Sequence, residues 1–354
     1  MKTPDRRAWN IITLSDARLD DILQLLATSL SDSGATRKTP AFWSWKHQYN
    51  PFGPSLGLAA VDGNDKLVGL RPFMRWRLSE SKGEVLAVRA VDTVTDQHWR
   101  GRGIFSRLTI EGMKQLKSDG IQLIFNTPNA NSRPGNLKLG WRVVERMPIY
   151  MTVLQPLRMV TALLARWPKE ECSLPGWEAV SRGGVISWHS FTEFDEFLNL
   201  VGVSETIRGY HGYRTSRTAE YLAWRYREQP NIDYGVFCVD GANNRLEAAA
   251  VLRLERRLGL LGGLITDLFV RDGSKAVGVR LLKALRRDLR VDYLIAHVGL
   301  RAPERAMLRR AWFLPMPLKG IVLMAREVGA IDTLPLDPFL PEHWDLTLGE
   351  LELF

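Results

Sequence analysis

The sequence is short of everything that a disulfide-built, metal-built or membrane-embedded protein would need. It has two cysteines, Cys172 and Cys238, too few for a disulfide framework, and no cysteine–histidine cluster with metal-ligand spacing. That composition points to a reducing, cytoplasmic setting and to a site without a metal. A membrane span is missing too. The uncharged stretch in the middle of the chain runs only from Met147 to Leu157, interrupted by Pro148 and Pro156, whereas a spanning helix needs ~20 apolar residues. No apolar core of a signal peptide follows the polar start Met1-Lys2-Thr3-Pro4-Asp5-Arg6-Arg7. There is no Walker loop, no full Gly-x-Gly-x-x-Gly fingerprint, and no basic segment interleaved with aromatics of the kind that binds RNA.

What is present is the composition of a soluble globular protein: 45% hydrophobic and 25% charged over 354 residues. At ~150 residues per domain, that length suggests two cores. Lysine and arginine number 48 against 39 aspartates and glutamates, a net charge of +9. The surplus suits an anionic small molecule such as a nucleotide cofactor, and the absence of RNA-binding motifs argues against a nucleic-acid partner.

The chain also repeats itself. Thr39-Pro40-Ala41-Phe42-Trp43-Ser44-Trp45-Lys46-His47, leading to Asn50-Pro51, is matched by Thr218-Ala219-Glu220-Tyr221-Leu222-Ala223-Trp224-Arg225-Tyr226, leading to Gln229-Pro230. Val61-Asp62-Gly63 is matched by Val239-Asp240-Gly241, each a turn signal between two apolar runs. Asp92 and Asp267 follow in register. Beyond them, Phe105, Leu108, Gly112 and Leu116 fall on one helical face, as do Leu281, Leu282, Leu285 and Leu289. A strand follows in each copy, Ile121–Phe125 and Val291–Ala296. Each half therefore reads as helix, hairpin strands, strand, helix, strand. The expected organisation is a domain over 1–150, a linker over 151–192, a second domain over 193–330 and a C-terminal extension over 331–354. Within the linker, Leu157, Val160, Leu163, Leu164 and Trp167 have helical spacing and read as a helix packed between domains, with a membrane-surface helix as the alternative.

The most informative stretch is Asp92-Thr93-Val94-Thr95-Asp96-Gln97-His98-Trp99-Arg100-Gly101-Arg102-Gly103-Ile104-Phe105. A strand ends, glycines allow a turn with exposed backbone N–H groups, and a helix begins at once. Such a turn offers orphan donors and the positive end of a helix to a phosphate, with Arg100 and Arg102 adding charge. In the second copy the corresponding Arg271-Asp272-Gly273-Ser274-Lys275-Ala276 lacks the central glycine and carries an unfavourable carboxylate, so it reads as degenerate.

Arg100-Gly101-Arg102-Gly103-Ile104 after that strand resembles the acyl-CoA pyrophosphate loop of the GNAT acetyltransferase superfamily. Phe125-Asn126-Thr127-Pro128-Asn129-Ala130-Asn131-Ser132 and Leu139-Gly140-Trp141 resemble the turn and strand entry that close that fold. The resemblance covers about residues 10–150 and is closest to bacterial members with a second, weaker copy. It implies two tandem GNAT-like α/β domains, each a mixed, mostly antiparallel sheet flanked by helices. It also implies an N-acetyltransferase using acetyl-CoA as acyl donor and a primary amine of a small molecule, amino sugar or peptide as acceptor. The cofactor would be held by Val94, Thr95, Arg100, Gly101, Arg102, Gly103, Ile104, Phe105, Ser106 and Asn131. The base or acid would come from Asp92, Tyr150 or Glu145, with Asp96 a further carboxylate candidate. Asn136 stands where the family usually places a thiolate-protonating tyrosine, a departure that leaves the standard acid without a residue. His98 beside the loop has no evident nucleophile to serve. Two other classes compete: a tRNA-dependent aminoacyl transferase of the cell-wall cross-bridge type, which would lack the Arg-Gly-Arg-Gly loop, and a non-catalytic acyl-CoA-binding protein. A homodimer is compatible with either class.

Overall fold

The structure is a computed structural model that describes residues 8–29, 38–80, 83–164, 173–208, 212–241, 245–329 and 334–351. The chain divides into two compact units, Met1–Glu145 with Val322–Leu340, and Arg146–Ile321 with Pro341–Leu353. Neither unit is one continuous segment.

In the first unit the chain forms β1 (Trp9–Thr13), α1 (Leu19–Ser29), α2 (Pro40–His47), β2 (Leu56–Asp62), β3 (Leu67–Glu80), β4 (Gly83–Ala90), β5 (Val94–Thr95), α3 (Ile104–Ser118), β6 (Leu123–Asn126), α4 (Arg133–Lys138) and the start of β7 (Arg142–Val153). Pairing is antiparallel through β1, β2, β3 and β4. β4 and β6 run parallel, Ala87 opposite Leu123 and Arg89 opposite Phe125. A helical crossover is what a parallel pair requires, and α3 supplies it. The β2–β3 hairpin turns where Asp62 accepts from the backbone N–H groups of Asn64 and Lys66, the Asp-Gly signal expressed as side-chain-to-backbone bonding.

Helices cover both faces of this sheet. Ile22, Leu25 and Leu26 of α1 and Trp43 of α2 pack against Ala59, Val61, Leu67, Leu70 and Val94. On the opposite face Ile104 and Leu108 meet Ala60 and Val68, while Leu116 meets Phe73, Val88 and Ile124. Gly112 belongs to this second contact. A Cβ there would lie 2.8 Å from the Phe73 ring, so its apolar-face position is one of close helix–sheet approach.

The second unit contains the rest of β7, then α5 (Pro156–Leu164), α6 (Trp177–Val180), β8 (Val185–Ser187), α7 (Phe194–Arg208), β9 (Arg214–Thr215), α8 (Ala219–Leu222), β10 (Gly235–Asp240), β11 (Leu246–Arg257), β12 (Leu260–Val270), α9 (Lys275–Asp288), β13 (Tyr293–Ala296), α10 (Glu304–Arg310), the start of β14 (Leu314–Glu327) and α11 (Leu348–Leu351). β8, β10, β11 and β12 are antiparallel neighbours, and β12 and β13 form the parallel pair. The apolar face of α9, Leu281, Leu282 and Leu285, packs with Met307 and Leu308 of α10 on Ala248, Ala250, Leu252, Ile265 and Leu268. Each unit is thus a mixed α/β layer structure with a mostly antiparallel sheet.

The closing strands come from far along the chain. β6 has Met324–Glu327 of β14 as its antiparallel neighbour. β13 has Tyr150–Val153 of β7. On α5, Leu157, Val160 and Leu164 are exposed, and Ala162 seats against Leu260 and Tyr293. Trp167 lies outside the described residues. Among those described, no helix is long and apolar enough to cross a membrane.

Candidate active site

The site begins with a break in a strand. β4 keeps its pairing with β3 up to Phe73 opposite Ala90. Asp92 then adopts a positive φ of 44°, and β5 resumes beside β3, Leu70 opposite Val94 and Gly69 opposite Thr95. The pairing with β6 stops at Arg89, so past Arg89 the backbone departs from its parallel neighbour.

The turn that follows is built from its own sequence. Asp96 accepts from the His98 N–H at 2.8 Å. Gly101 and Gly103 have φ of 77° and 75°, and a Cβ at either would meet nothing within 4 Å. Backbone conformation, not crowding, is therefore what demands glycine there. Gly103 is the N-cap of α3 and provides no side-chain acceptor to the helix. Arg107 N–H is the first to bond back, to Gly103 at 2.9 Å, and the amides before it belong to the turn whose donors a helix cannot satisfy internally. Arg100 and Arg102 are exposed beside this end; Arg100 Nε donates to the Thr95 carbonyl at 3.4 Å and the Arg102 guanidinium lies 4.4 Å from the Trp99 ring centre. Val94, Thr95 and Arg100 to Ser106 thus form one strand–turn–helix corner suited to an anion such as a pyrophosphate. In the second unit the same corner is closed by its own side chain: Ser274 caps α9 by accepting from Val277 N–H.

One side chain of the break organises a buried charge cluster. Asp92 accepts from Lys38 Nζ at 2.7 Å, Lys46 Nζ at 2.6 Å and His47 Nε2 at 3.1 Å. Two ammonium groups and the imidazole N–H hold its carboxyl well below the usual carboxylate range against the opposing effect of burial. Burial draws Lys46 down to about 8 and His47 down to about 4. His47 is therefore neutral near pH 7; with Nε2–H committed to Asp92, its Nδ1 accepts from the Ser55 hydroxyl at 2.8 Å. Helix α2 places these groups. Thr39 caps its N-terminus by accepting from Phe42 N–H, Pro40 opens the first turn, and Lys46 and His47 occupy the last.

Arg71 of β3 lies on the α3 side of the sheet and is almost completely buried, 1% exposed. Its Nη1 donates to Thr93 Oγ1 at 2.8 Å, and its Nη2 to Asn136 Oδ1 of α4 at 3.3 Å. Its guanidinium stands 4.9 to 5.4 Å from the ring centres of Phe105, Phe73 and Trp141. The break, the first turn of α3 and α4 therefore meet at one guanidinium.

The other expected residues are dispersed. Glu145 is exposed on β7. Tyr150 belongs to the second unit, fully buried, its hydroxyl accepting from Arg305 Nε at 2.7 Å. Asn131 is exposed, and its N–H donates to Asn129 Oδ1 in the turn before α4. His98 is exposed and contacts Gln97. The sequence reading overlooked Lys38 and Arg71. Lys38 had a signal, since it precedes Thr39 as Arg217 precedes Thr218 in the repeat. Arg71 had a fainter one, a single cation inside the apolar run from Leu67 to Met74.

Residues 10–144 match the family model described as "Acetyltransferase (GNAT) domain". No curated protein matches the chain. Among solved structures, the fold is shared with N-myristoyltransferase of Saccharomyces cerevisiae with bound myristoyl-CoA, at TM-score 0.58 and 12% identity over 92% of this chain and 84% of that one. A GCN5-related N-acetyltransferase from Kribbella flavida matches at TM-score 0.56 and 16% identity, over 90% and 71%. A protein of Enterococcus faecalis designated a probable N-acyltransferase matches at 0.60 and 11%, over 91% and 73%.

Proposed function

We propose that the chain, whose residues 10–144 match the model of the GNAT acetyltransferase domain, transfers an acyl group, acetyl in the simplest case, from acyl-CoA to a primary amine. The observation that carries this reading is the β5–turn–α3 corner, with Gly103 in the left-handed region at an N-cap that brings no acceptor of its own. The N–H groups of Gly103 to Ser106 would hold the pyrophosphate, with Arg100 and Arg102 at its flank. Bound there, acyl-CoA supplies an activated thioester carbonyl. The strand edge past the break, freed from β6, would orient that carbonyl and donate to the negative charge developing on its oxygen.

Asp92 keeps its charge at any physiological pH, and its oxygens are engaged by Lys38, Lys46 and His47. In this reading it fixes the walls of the acceptor side by tethering α2 to the break in β4. The proton of the attacking amine would leave through water. The N-myristoyltransferase neighbour, whose structure holds myristoyl-CoA, makes acyl length an open axis of the same reading.

The test is calorimetric titration of the purified protein with acetyl-, octanoyl- and myristoyl-CoA, followed by an amine screen that detects released CoA thiol. Saturable binding of one donor at one site, together with acceptor-dependent thiol release, is the expected result. A protein that binds none of the three donors would remove the reading.

A further inference from the structure

A cation buried in a protein is ordinarily matched by an anion. Two buried arginines of the second unit follow that rule: Arg214 pairs with Glu205, and Arg217 with Asp267, Glu205 and Glu350. Arg71 does not. Among the described residues it has no carboxylate in ion-pair reach; its partners are the Thr93 hydroxyl, the Asn136 amide oxygen and three aromatic rings. Its Nε and the Asn136 Nδ2 are both buried and donate to nothing. Two unspent donors and one uncompensated positive charge thus lie together at Thr93, one residue before Val94, under the first turn of α3.

A thioester cleaved at this corner releases an anion. We propose that Arg71, positioned by Asn136 and Thr93, is the catalytic residue that receives the sulfur of the departing CoA thiolate. The inference rests on the acyl-CoA reading above. The acceptor nitrogen forms its bond to the carbonyl carbon, the carbon–sulfur bond breaks, and its electron pair goes to sulfur. The surplus proton of the amine passes to water. The guanidinium keeps its proton throughout and donates hydrogen bonds to the thiolate, so no proton donor is needed where Asn136 replaces a tyrosine. Burial and the nearby Arg326 draw Arg71 down to about 9, and it still carries its charge at neutral pH.

The same charge acts on the product, which makes the proposal testable without knowing the acceptor. The ultraviolet absorbance of the thiolate reports the ionisation of CoA bound to the full-length protein as pH is varied. In the wild type, bound CoA is expected to ionise about one to three pH units below free CoA, the effect of a close guanidinium on an anion. Arg71→Met should return it to the free value. Asn136→Asp, nearly isosteric, sets a carboxylate against Arg71 and should do the same, which keeps the test alive if the methionine variant fails to fold. Desulfo-CoA should bind the wild type and both variants alike, since only the sulfur contact is altered. A guanidinium kept solely for stacking on its three rings would leave the thiol of CoA unchanged. Identical thiol titrations in wild type and variants, or a wild type in which bound CoA ionises like free CoA, would overturn the proposal. Failure of the wild type to bind CoA at all would instead overturn the acyl-CoA reading on which it stands.

Discussion

Lys38 and Asp92 form an ion pair at 2.7 Å that has a counterpart in the second unit, where Arg217 meets Asp267 at 2.9 Å. The likeness extends to their neighbours. Thr39 and Thr218 each cap the following helix by accepting from the N–H three residues on, both at 3.2 Å. His47 and Tyr226, at matching places in the repeat, each donate to the respective carboxylate. In both units a carboxylate fastens a capped helix to the sheet. The second unit adds Thr347, whose hydroxyl donates to Asp267, and Glu350, which pairs with Arg217.

This arrangement assigns Asp92 a large share of local stability. Asp92→Asn strips Lys38 and Lys46 of the carboxylate they share, and breaking a buried pair in this way costs roughly 3–5 kcal/mol. Urea unfolding monitored by circular dichroism should show a lowered midpoint. A variant as stable as the wild type would contradict the tether.

Acid should weaken the protein through its buried histidines. His47 and His297, the latter donating Nδ1–H to the Pro148 carbonyl at 2.7 Å, are both drawn by burial from 6.5 to about 4. Between those values the unfolded chain binds protons that the folded chain refuses, so stability is lost as pH falls from 6.5 toward 4. Each histidine contributes on the order of 3 kcal/mol to that slope. Stability curves across the window for His297→Gln should be flatter than those of the wild type, and an unchanged slope would count against the assignment.

The β5–turn–α3 corner separates conformation from charge. Gly103→Ala meets no atom but must hold a left-handed φ, a strain of about 1–2 kcal/mol. Arg102→Glu leaves the backbone alone and reverses a charge beside the N-terminus of α3. Its apparent KM for acyl-CoA should rise about 10- to 100-fold with the fold intact. Equal KM values for this variant and the wild type would move the pyrophosphate elsewhere.

Gly112→Ala provides the opposite control. Its Cβ would meet the Phe73 ring at 2.8 Å, and such overpacking costs about 1–3 kcal/mol. Thermal unfolding should shift downward while CoA affinity stays unchanged, because the contact lies on the sheet side of α3, away from its first turn.

Much of this site could be read along the chain because its parts are local. The glycines of the turn, the N-cap threonines and the recurrence of Asp92 as Asp267 are each fixed by a few neighbouring residues. Arg71 could not be read that way. Its meaning depends on Thr93 and Asn136 reaching it from 22 and 65 residues away, and on the lack of an acidic partner, which only packing determines. The same limit applies to Glu145 and Tyr150, close in sequence on β7 yet assigned to different units. Strand alternation says which way a side chain points but not which strand lies beside it.

The neighbour of β6 is the end of β14, Met324–Glu327. During synthesis, the outer edge of β6 is therefore made about 200 residues before the strand that covers it. At ~5–20 residues per second this leaves an open hydrogen-bonding edge on the nascent chain for some tens of seconds. The N-terminal half would then emerge from the ribosome unable to finish its own sheet, so a gene fragment ending before Val322 should yield aggregate or chaperone-bound protein rather than an independent domain.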